Sequence, residues 1–217
     1  MDLVQLVSKK LMKFTKKKIE RYARQIILKK IGVIGQKKLL KSSVLIVGAG
    51  GLGSPVAIYL TALGIGKIGI VDNDKVEISN LSRQIIFSTK DLKKEKSSVA
   101  INKLKKMNPD LQFKSFQKRL TIKNINQIAK DFSFIVDGSD NFRTRFLIND
   151  YCLKTKKILV SGAISKFDGQ VYTFNFSNKK SPCLRCFIPN MPVNPDIDNC
   201  EYEGVLGTLG GMIGSIQ

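Results

Sequence analysis

The chain has 217 residues, a formal net charge of +20, four cysteines and no histidine. Its length suffices for one domain with a substantial core, and the absence of histidine excludes histidine triads and histidine metal sites. No run is apolar enough to span a membrane. Four cysteines that include a C-x-x-C spacing fit a reducing compartment better than a secreted disulfide framework, so we expect a cytoplasmic protein.

The N-terminal residues 1–20 are predicted to form a basic helical extension, because apolar residues alternate there with lysines. These lysines leave no secretory apolar segment, while an organellar targeting role stays open. Lysines are spread over many other segments without an RNA-binding aromatic motif, so nucleic acid is not an expected partner. The charge is more consistent with attraction of an acidic protein, which should weaken as salt rises.

A nucleotide-binding turn is predicted after the apolar run 44–47. Gly48, Gly50 and Gly53 fill a G-x-G-x-x-G pattern between this strand and a helical segment. Such glycines permit a tight turn and let the backbone approach a phosphate at a helix N-terminus. Asp72 ends the next apolar run, where an acidic residue meets ribose hydroxyls. Binding of a nucleotide follows from this combination.

The polar residues further along the chain favour a triphosphate over a dinucleotide. Asn80, Arg83 and Lys96 follow the ribose-binding position, and arginine and lysine suit phosphate oxygens. Asp140 follows the buried-strand pattern 134–137, so it should lie at the carboxyl edge of the sheet. A carboxylate that faces phosphates there is a reasonable Mg²⁺ ligand.

The alternation of patterns predicts an α/β fold, Rossmann-like, with a mostly parallel sheet, helices on both faces and an antiparallel extension at the end. Strands are predicted at 44–47, 67–72, 113–117, 134–137 and 158–161, helices at 54–63, 94–107, 124–131 and 143–155, and an antiparallel strand at 169–176. The Gly-rich residues 207–217 look like the entry into a helix that the chain does not complete.

The motifs together identify the chain as similar to the MoeB/ThiF/HesA family, the bacterial relatives of ubiquitin-activating enzymes. In family order they are Arg21-Tyr22-Ala23-Arg24-Gln25, the Gly48 to Gly53 loop, Asp72-Asn73-Asp74, Ser79 to Gln84, Lys96, Asn108-Pro109, Asp137 to Asn141, Ser161-Gly162-Ala163, Gly169-Gln170 and Cys183-Leu184-Arg185-Cys186. Residues 21–217 would then be the adenylating domain, which looks truncated at its C-terminus relative to the family.

The resemblance implies ATP-dependent adenylation of the Gly-Gly carboxylate of a small sulfur-carrier protein, with release of pyrophosphate, in molybdopterin or thiamine type sulfur transfer. It assigns nucleotide and Mg²⁺ contacts to Gly48, Gly50, Gly51, Gly53, Asp72, Asp74, Ser79, Asn80, Arg83, Gln84, Lys96, Asp140 and Asn141. Arg24 corresponds to a family arginine that reaches the triphosphate of the partner subunit, which implies a homodimer. Arg24, Arg83, Lys96, Asp140 and Cys200 are the expected catalytic residues.

The cysteines have alternative interpretations. Cys183 and Cys186 form half of a structural Zn²⁺ site, which needs four ligands; in the family a second pair follows, and it is absent from this sequence. Either that pair lies in a missing segment, or zinc is not bound in this way, and a redox pair is a further alternative. Cys152, in a helical pattern, is predicted to be a buried thiol. Cys200 either takes part in covalent sulfur transfer or is an ordinary loop thiol.

Other interpretations of the site residues stay open at this point. Asp72 and Asp140 could cap helices, Lys96 could be a solvated surface lysine, and Arg24 could pair with Glu20 on one helical face. The alternative function is a non-catalytic scaffold that binds a nucleotide or a partner without exchange of pyrophosphate. A nicotinamide-dependent oxidoreductase is a third hypothesis, which would not need an arginine or a magnesium-binding aspartate.

Overall fold

The computed structural model describes residues 14–178, 180–191 and 204–217. The helices are α1 (Lys16–Ile26), α2 (Gly32–Lys41), α3 (Gly53–Leu63), α4 (Lys96–Met107), α5 (Ile125–Ala129), α6 (Phe142–Thr155), α7 (Leu184–Phe187) and α8 (Gly207–Ile216), and the strands are β1 (Ser43–Val47), β2 (Lys67–Val71), β3 (Gln112–Phe116), β4 (Phe134–Asp137), β5 (Ile158–Ser165) and β6 (Asp168–Asn175). The loop after β2 holds two short 3-10 helices, Ile78–Asn80 and Thr89–Asp91.

The strands form one six-stranded sheet in the order β3-β2-β1-β4-β5-β6. The first five run parallel, and β6 pairs antiparallel with β5. This arrangement confirms the predicted fold class, a mostly parallel sheet that ends in an antiparallel extension. Because the strand order reverses between β1 and β4, the carboxyl ends of these two strands open a crevice, where open α/β sheets bind ligands.

Burial explains why the strands could be recognised in the sequence. In β1 and β2, all residues except the first of each strand are buried, as expected for strands covered by helices on both faces. Two apolar clusters lie against the sheet, one that includes Phe132 and Phe146 and one that includes Ile46 and Ile70. The edge strand β3 is half-exposed along its length, which makes its bounds harder to predict.

Helix α1 is held to α3 and to the end of α4 by a buried polar contact. Asn108 donates one amide hydrogen bond to the Tyr22 hydroxyl at 3.0 Å and another to the carbonyl of Thr61 at 3.1 Å. Thr15 caps the helix by accepting from the backbone N–H of Lys18. The helix continues past residue 20, so the boundary expected there between an extension and a domain would divide one helix.

Several predicted elements differ in length from the observed ones, and the largest extension is β5, which is predicted at 158–161 and runs over Ile158–Ser165. The pattern over 124–131 forms a helix only at Ile125–Ala129, since the chain turns at Phe132 to enter β4. The Gly-rich segment is helical over Gly207–Ile216, in agreement with the predicted entry into a helix. Within the described ranges, every helix is too short or too polar to cross a lipid bilayer.

Candidate active site

A cavity of about 530 Å³ lies at the carboxyl ends of β1, β2 and β4. It brings together most of the predicted nucleotide-binding residues, although they come from separate segments of the chain. The members of the predicted set that line it are Gly48, Gly50, Gly51, Asp72, Asp74, Arg83, Gln84, Lys96, Asp140 and Asn141. The other members, Gly53, Ser79 and Asn80, do not line it; Gly53 and Asn80 are buried and Ser79 is exposed.

The glycine-rich turn is shaped by two close backbone approaches. Gly48 has a φ of +89°, and a Cβ there would lie 2.8 Å from the carbonyl oxygen of Gly138. A Cβ on Gly53 would lie only 1.9 Å from the carbonyl oxygen of Gly48. The backbone N–H groups of residues 50–53 have no hydrogen-bond partner among the described residues. These donors stand at the N-terminus of α3, an arrangement that suits a phosphate.

Asp72 is held at the end of β2 by two backbone groups. Its Oδ2 accepts from the N–H of Ala49 at 2.8 Å and its Oδ1 from the N–H of Asp74 at 2.8 Å. Burial raises the pKa of the Asp72 carboxyl, against the opposing effects of these hydrogen bonds and of the Lys96 charge. The carboxylate therefore links the glycine-rich turn to the next loop and does not cap a helix.

Lys96 is the first residue of α4 and is only 6% exposed. Its Nζ lies 3.1 Å from Oδ2 of Asp74, and its backbone N–H donates to the carbonyl of Asp74 at 2.9 Å. The side chain lines the cavity, so the alternative of a solvated surface lysine is wrong. Lys96 therefore places a buried positive charge at the cavity, next to the carboxylate of Asp74.

The segment 79–84 forms one wall of the cavity. Asn80 is buried and accepts from the backbone N–H of Glu77 at 3.1 Å, which closes the turn. Arg83 donates from Nη1 to the carbonyl of Ser79 at 3.2 Å, and its aliphatic part lies against Gly51. Asn80 therefore shapes the loop, while Arg83 lines the cavity.

Asp140 stands on the opposite wall, in the turn between β4 and α6. Its carboxylate is exposed and accepts from the amide of Asn141 at 3.2 Å. The preceding turn is organised by the buried Asp137, which accepts from the N–H and hydroxyl of Ser139 and from the hydroxyl of Ser161. Helix α6 is capped by Asn141, which accepts from the N–H of Thr144. The alternative that Asp140 is itself the cap is therefore wrong.

Four polar residues of the cavity are not evident from the sequence patterns: Lys118, Arg119, Thr144 and Arg145. The first two directly follow β3, and the others lie in the first turn of α6. Arg145 donates from Nη2 to the carbonyl of Ser139 at 2.8 Å, which holds its guanidinium at the cavity wall. The carboxyl ends of parallel strands share one edge of the sheet, so Lys118 and Arg119 could have been predicted from their position after β3. Thr144 and Arg145 could not, because their place in the cavity depends on the residue at which α6 begins.

The remaining predicted residues do not line the cavity. Arg24 is exposed on α1, and no ion pair joins it to Glu20 in this part of the structure. Sγ of Cys183 and Sγ of Cys186 lie 3.9 Å apart, and the described ranges contain no group of three metal-ligating side chains around them. Cys152 is fully buried, as predicted, and burial raises its pKa to about 12. Cys200 lies outside the described residues.

Sequence comparison relates the chain to adenylyltransferases. It is 42% identical over 209 residues to a sulfur carrier protein adenylyltransferase of Thermus thermophilus, covering 95% of this chain and 77% of that protein. It is 47% identical over 199 residues to a probable molybdopterin-synthase adenylyltransferase of Porphyra purpurea, and 43% identical over 205 residues to the adenylyltransferase and sulfurtransferase MOCS3 of Aedes aegypti. These two alignments cover 91% and 94% of this chain but only 51% and 46% of the relatives, so the chain spans about half of their length.

Solved structures share the fold. The chain matches Escherichia coli MccB with ATP at a TM-score of 0.69 and 24% identity, covering 83% of this chain and 54% of that one. It matches PaaA at a TM-score of 0.75 and 21% identity, covering 99% and 70%. A model described as the ThiF family matches residues 22–217. Since that range is most of the chain, the protein belongs to the ThiF family.

Proposed function

We propose that this protein adenylates the C-terminal carboxylate of a small sulfur-carrier protein that ends in Gly-Gly, using ATP and releasing pyrophosphate. The observation that carries the proposal is the composition of the cavity. One wall holds the half-buried Asp72 and the N–H groups of residues 50–53, which have no partner among the described residues, and Lys96 and Arg83 lie beside them. The names of the relatives, which include a sulfur carrier protein adenylyltransferase, support the same reaction.

The residues suit the charges of this reaction. A carboxylate and a triphosphate repel each other, so cationic side chains such as Arg83, Lys96 and Arg145 are needed to bring them together. The nucleophile is already ionised near neutral pH, so the step needs no general base, and the chain has no histidine to provide one. Correct positioning of reacting groups can lower such a barrier by about 7–11 kcal/mol.

Mg²⁺ is the expected companion of the triphosphate. The carboxylate of Asp140 is exposed on the cavity wall, and its hydrogen-bond partner is an amide, so its oxygens are available to a hard cation. Asp140 and the neighbouring Asn141 would hold the ion, which neutralises phosphate charge when it is bound. For zinc, the two thiols of Cys183 and Cys186 are half of the four ligands that a closed structural site requires.

The proposal includes a homodimer. Arg24 is exposed on α1 and does not contact the cavity of its own chain. The family pattern implies that this arginine reaches the triphosphate bound by a second copy of the chain.

The test is ATP–pyrophosphate exchange with the variant Asp140→Ala. The carboxylate makes one hydrogen bond to its neighbour in the chain, so the variant should keep its thermal stability while exchange falls by a factor of about 10²–10³ or more. Asp110→Ala is the matched control, because the contact that Asp110 makes among the described residues is a long one of 4.0 Å with Lys17 at the surface, and Asp110 does not line the cavity. Near-normal exchange in Asp140→Ala would refute the assignment of the metal site.

A further inference from the structure

The cavity wall that carries Arg83 belongs to the long loop between β2 and α4, residues 72–95. A side chain on such a loop meets a ligand in one place only if the loop itself is held. Arg83 packs its aliphatic part on Gly51 and donates its hydrogen bond to the carbonyl of Ser79, a member of the same loop. Because that bond moves with the loop, the position of Arg83 depends on the contacts that attach the loop to the rest of the fold.

Two lysines on one face of α4 attach this loop. Lys96 and Lys103 are seven residues apart, which is about two turns and about 10 Å along a helix, so they lie on the same side of it. Lys96 binds Asp74 near the beginning of the loop. Near the end of the loop, Nζ of Lys103 donates to the carbonyl of Ile86 at 2.8 Å and forms an ion pair with Asp91. The cavity wall therefore lies between two points of attachment to α4.

The contact of Lys103 is part of a compact, mostly buried network. Asp91 is 8% exposed, and its Oδ2 also accepts from the N–H of Ser88 at 2.8 Å and from the hydroxyl of Ser88 at 2.7 Å. The neighbouring side chains of Ile86 and Phe87 are buried in one of the two apolar clusters against the sheet. Loss of the Lys103 cation would leave the Asp91 carboxylate without its ion pair, so this end of the loop would be held less firmly.

The segment between this network and Arg83 is short and hydrogen-bonded. The N–H of Phe87 donates to the carbonyl of Gln84 at 3.0 Å, and the N–H of Gln84 donates to the carbonyl of Asn80 at 2.8 Å. Arg83 lies inside these two linked turns. A displacement of the backbone near residue 86 is therefore passed on to Arg83.

We propose that Lys103 is a positioning residue, which holds the turn of residues 83–87 in place so that Arg83 meets the triphosphate. This inference rests on the proposed function, in which Arg83 binds the phosphates. Lys103 does not line the cavity, so it acts through the loop and does not contact the nucleotide. Without its contacts, Arg83 is less well preorganised toward the phosphates, whereas the ribose position at Asp72 is unaffected.

The test is a double-mutant cycle between Lys103→Met and Arg83→Met, with the affinity of the intact chain for ATP measured by calorimetry. Methionine keeps much of the aliphatic length of each side chain and removes its charge. Lys103→Met should weaken ATP binding roughly three- to tenfold and leave the affinity for adenosine, which has no phosphate, unchanged. In the Arg83→Met background, the same substitution should have no further effect on ATP. Well below the unfolding temperature, a purely structural role of Lys103 would not produce this dependence on Arg83.

Lys106→Met is the matched control for the loss of charge. Lys106 is exposed in the last turn of α4 and does not line the cavity, so this variant removes the same positive charge from the same helix and should bind ATP like the wild type. Lys103→Arg is the rescue, because a guanidinium also donates to a carbonyl and a carboxylate. If Lys103→Met does not fold, Asp91→Asn loosens the same network from the loop side. Its loss should be smaller and confined to ATP, since the bond to the carbonyl of Ile86 remains.

The outcomes separate this inference from the proposed function. An ATP affinity of Lys103→Met equal to that of the wild type, a loss that is the same for adenosine, or a loss that is undiminished in the Arg83→Met background would overturn the positioning role while the proposed function stands. An equal loss in Lys106→Met would show that net charge alone is responsible and would overturn it too. A folded wild-type protein that does not bind ATP would overturn the proposed function, and this inference with it.

Discussion

Replacement of Gly53 by alanine is the sharpest structural test of the glycine-rich turn. The added Cβ would lie 1.9 Å from the carbonyl oxygen of Gly48 and 2.9 Å from its carbonyl carbon. Gly48 cannot retreat easily, because the same residue approaches Gly138 on its other side and has a φ of +89°. The methyl group must therefore push α3 away from the turn or distort the turn itself.

The expected cost follows from overpacking, which typically destabilises by about 1–3 kcal/mol. The φ of Gly53 is not in the left-handed region, so alanine would otherwise gain about 0.4–1 kcal/mol from the unfolded chain. Because the approach is far inside contact distance, we expect a net loss of about 2 kcal/mol. For a chain of this size, that corresponds to a fall in Tm of roughly 4–8 °C.

The assay is thermal and urea unfolding followed by circular dichroism, with Gly50→Ala as the control. A Cβ on Gly50 would meet nothing closer than 3.9 Å, so this variant should unfold at the wild-type temperature or slightly above. Its methyl group would instead lie beside the expected phosphate and weaken ATP binding. If Gly53→Ala and Gly50→Ala proved equally stable, the reasoning from backbone proximity would be refuted.

Two further predictions concern stability and reactivity. Although burial pushes the pKa of Asp91 upward, hydrogen bonds from Lys103 and Ser88 hold it below its usual value of 3.8, so Lys103→Met should cost about 1–2 kcal/mol at pH 7. The part of this cost that comes from the Asp91 pair should disappear only as the pH falls through the lowered pKa of Asp91, whereas the lost bond to the carbonyl of Ile86 costs the same at every pH. Unfolding in urea over a series from pH 7 down to about pH 2 checks this, and a difference from wild type that does not shrink towards the acid end of the series would contradict it. Iodoacetamide should label Cys183 and Cys186 in the native protein but not Cys152, which is fully buried with a pKa of about 12; peptide mapping with labelling of all three would show that the core is more open than this packing allows.

The sequence predicts the sheet well, and places most of the candidate site residues at one edge of it, for a physical reason. Strands β1 and β2 are buried on both faces, so they appear as continuous apolar runs that end at glycine or aspartate. Those ends mark the edge where ligands bind, which is why the sequence alone assigns Gly48, Asp72 and Asp140 to one site. Lys96 and Asp74 lie at the same edge of the sheet, but their ion pair also depends on the start of α4 at Lys96.

The features of the site that could not be predicted from the sequence depend on contacts between distant segments of the chain. Arg145 reaches the cavity because the turn after β4 offers the carbonyl of Ser139, and no local pattern encodes that bond. The buried, unpartnered oxygen of Gln84 is likewise invisible in a sequence that simply shows a polar loop. The Gly-rich helix α8 packs its glycines against the turn, since a Cβ on Gly210 would lie 3.1 Å from the carbonyl oxygen of Gly51.

The most direct test of the proposed function is ATP–pyrophosphate exchange by the wild-type protein with a small carrier protein that ends in Gly-Gly. The same carrier with an amidated C-terminus is the comparison, because it keeps every surface contact and lacks only the nucleophilic carboxylate. We predict exchange with the free carboxylate and none above background with the amide. Exchange that is equal with both carriers, or absent with both from a folded protein that binds ATP, would contradict adenylation of the carrier terminus.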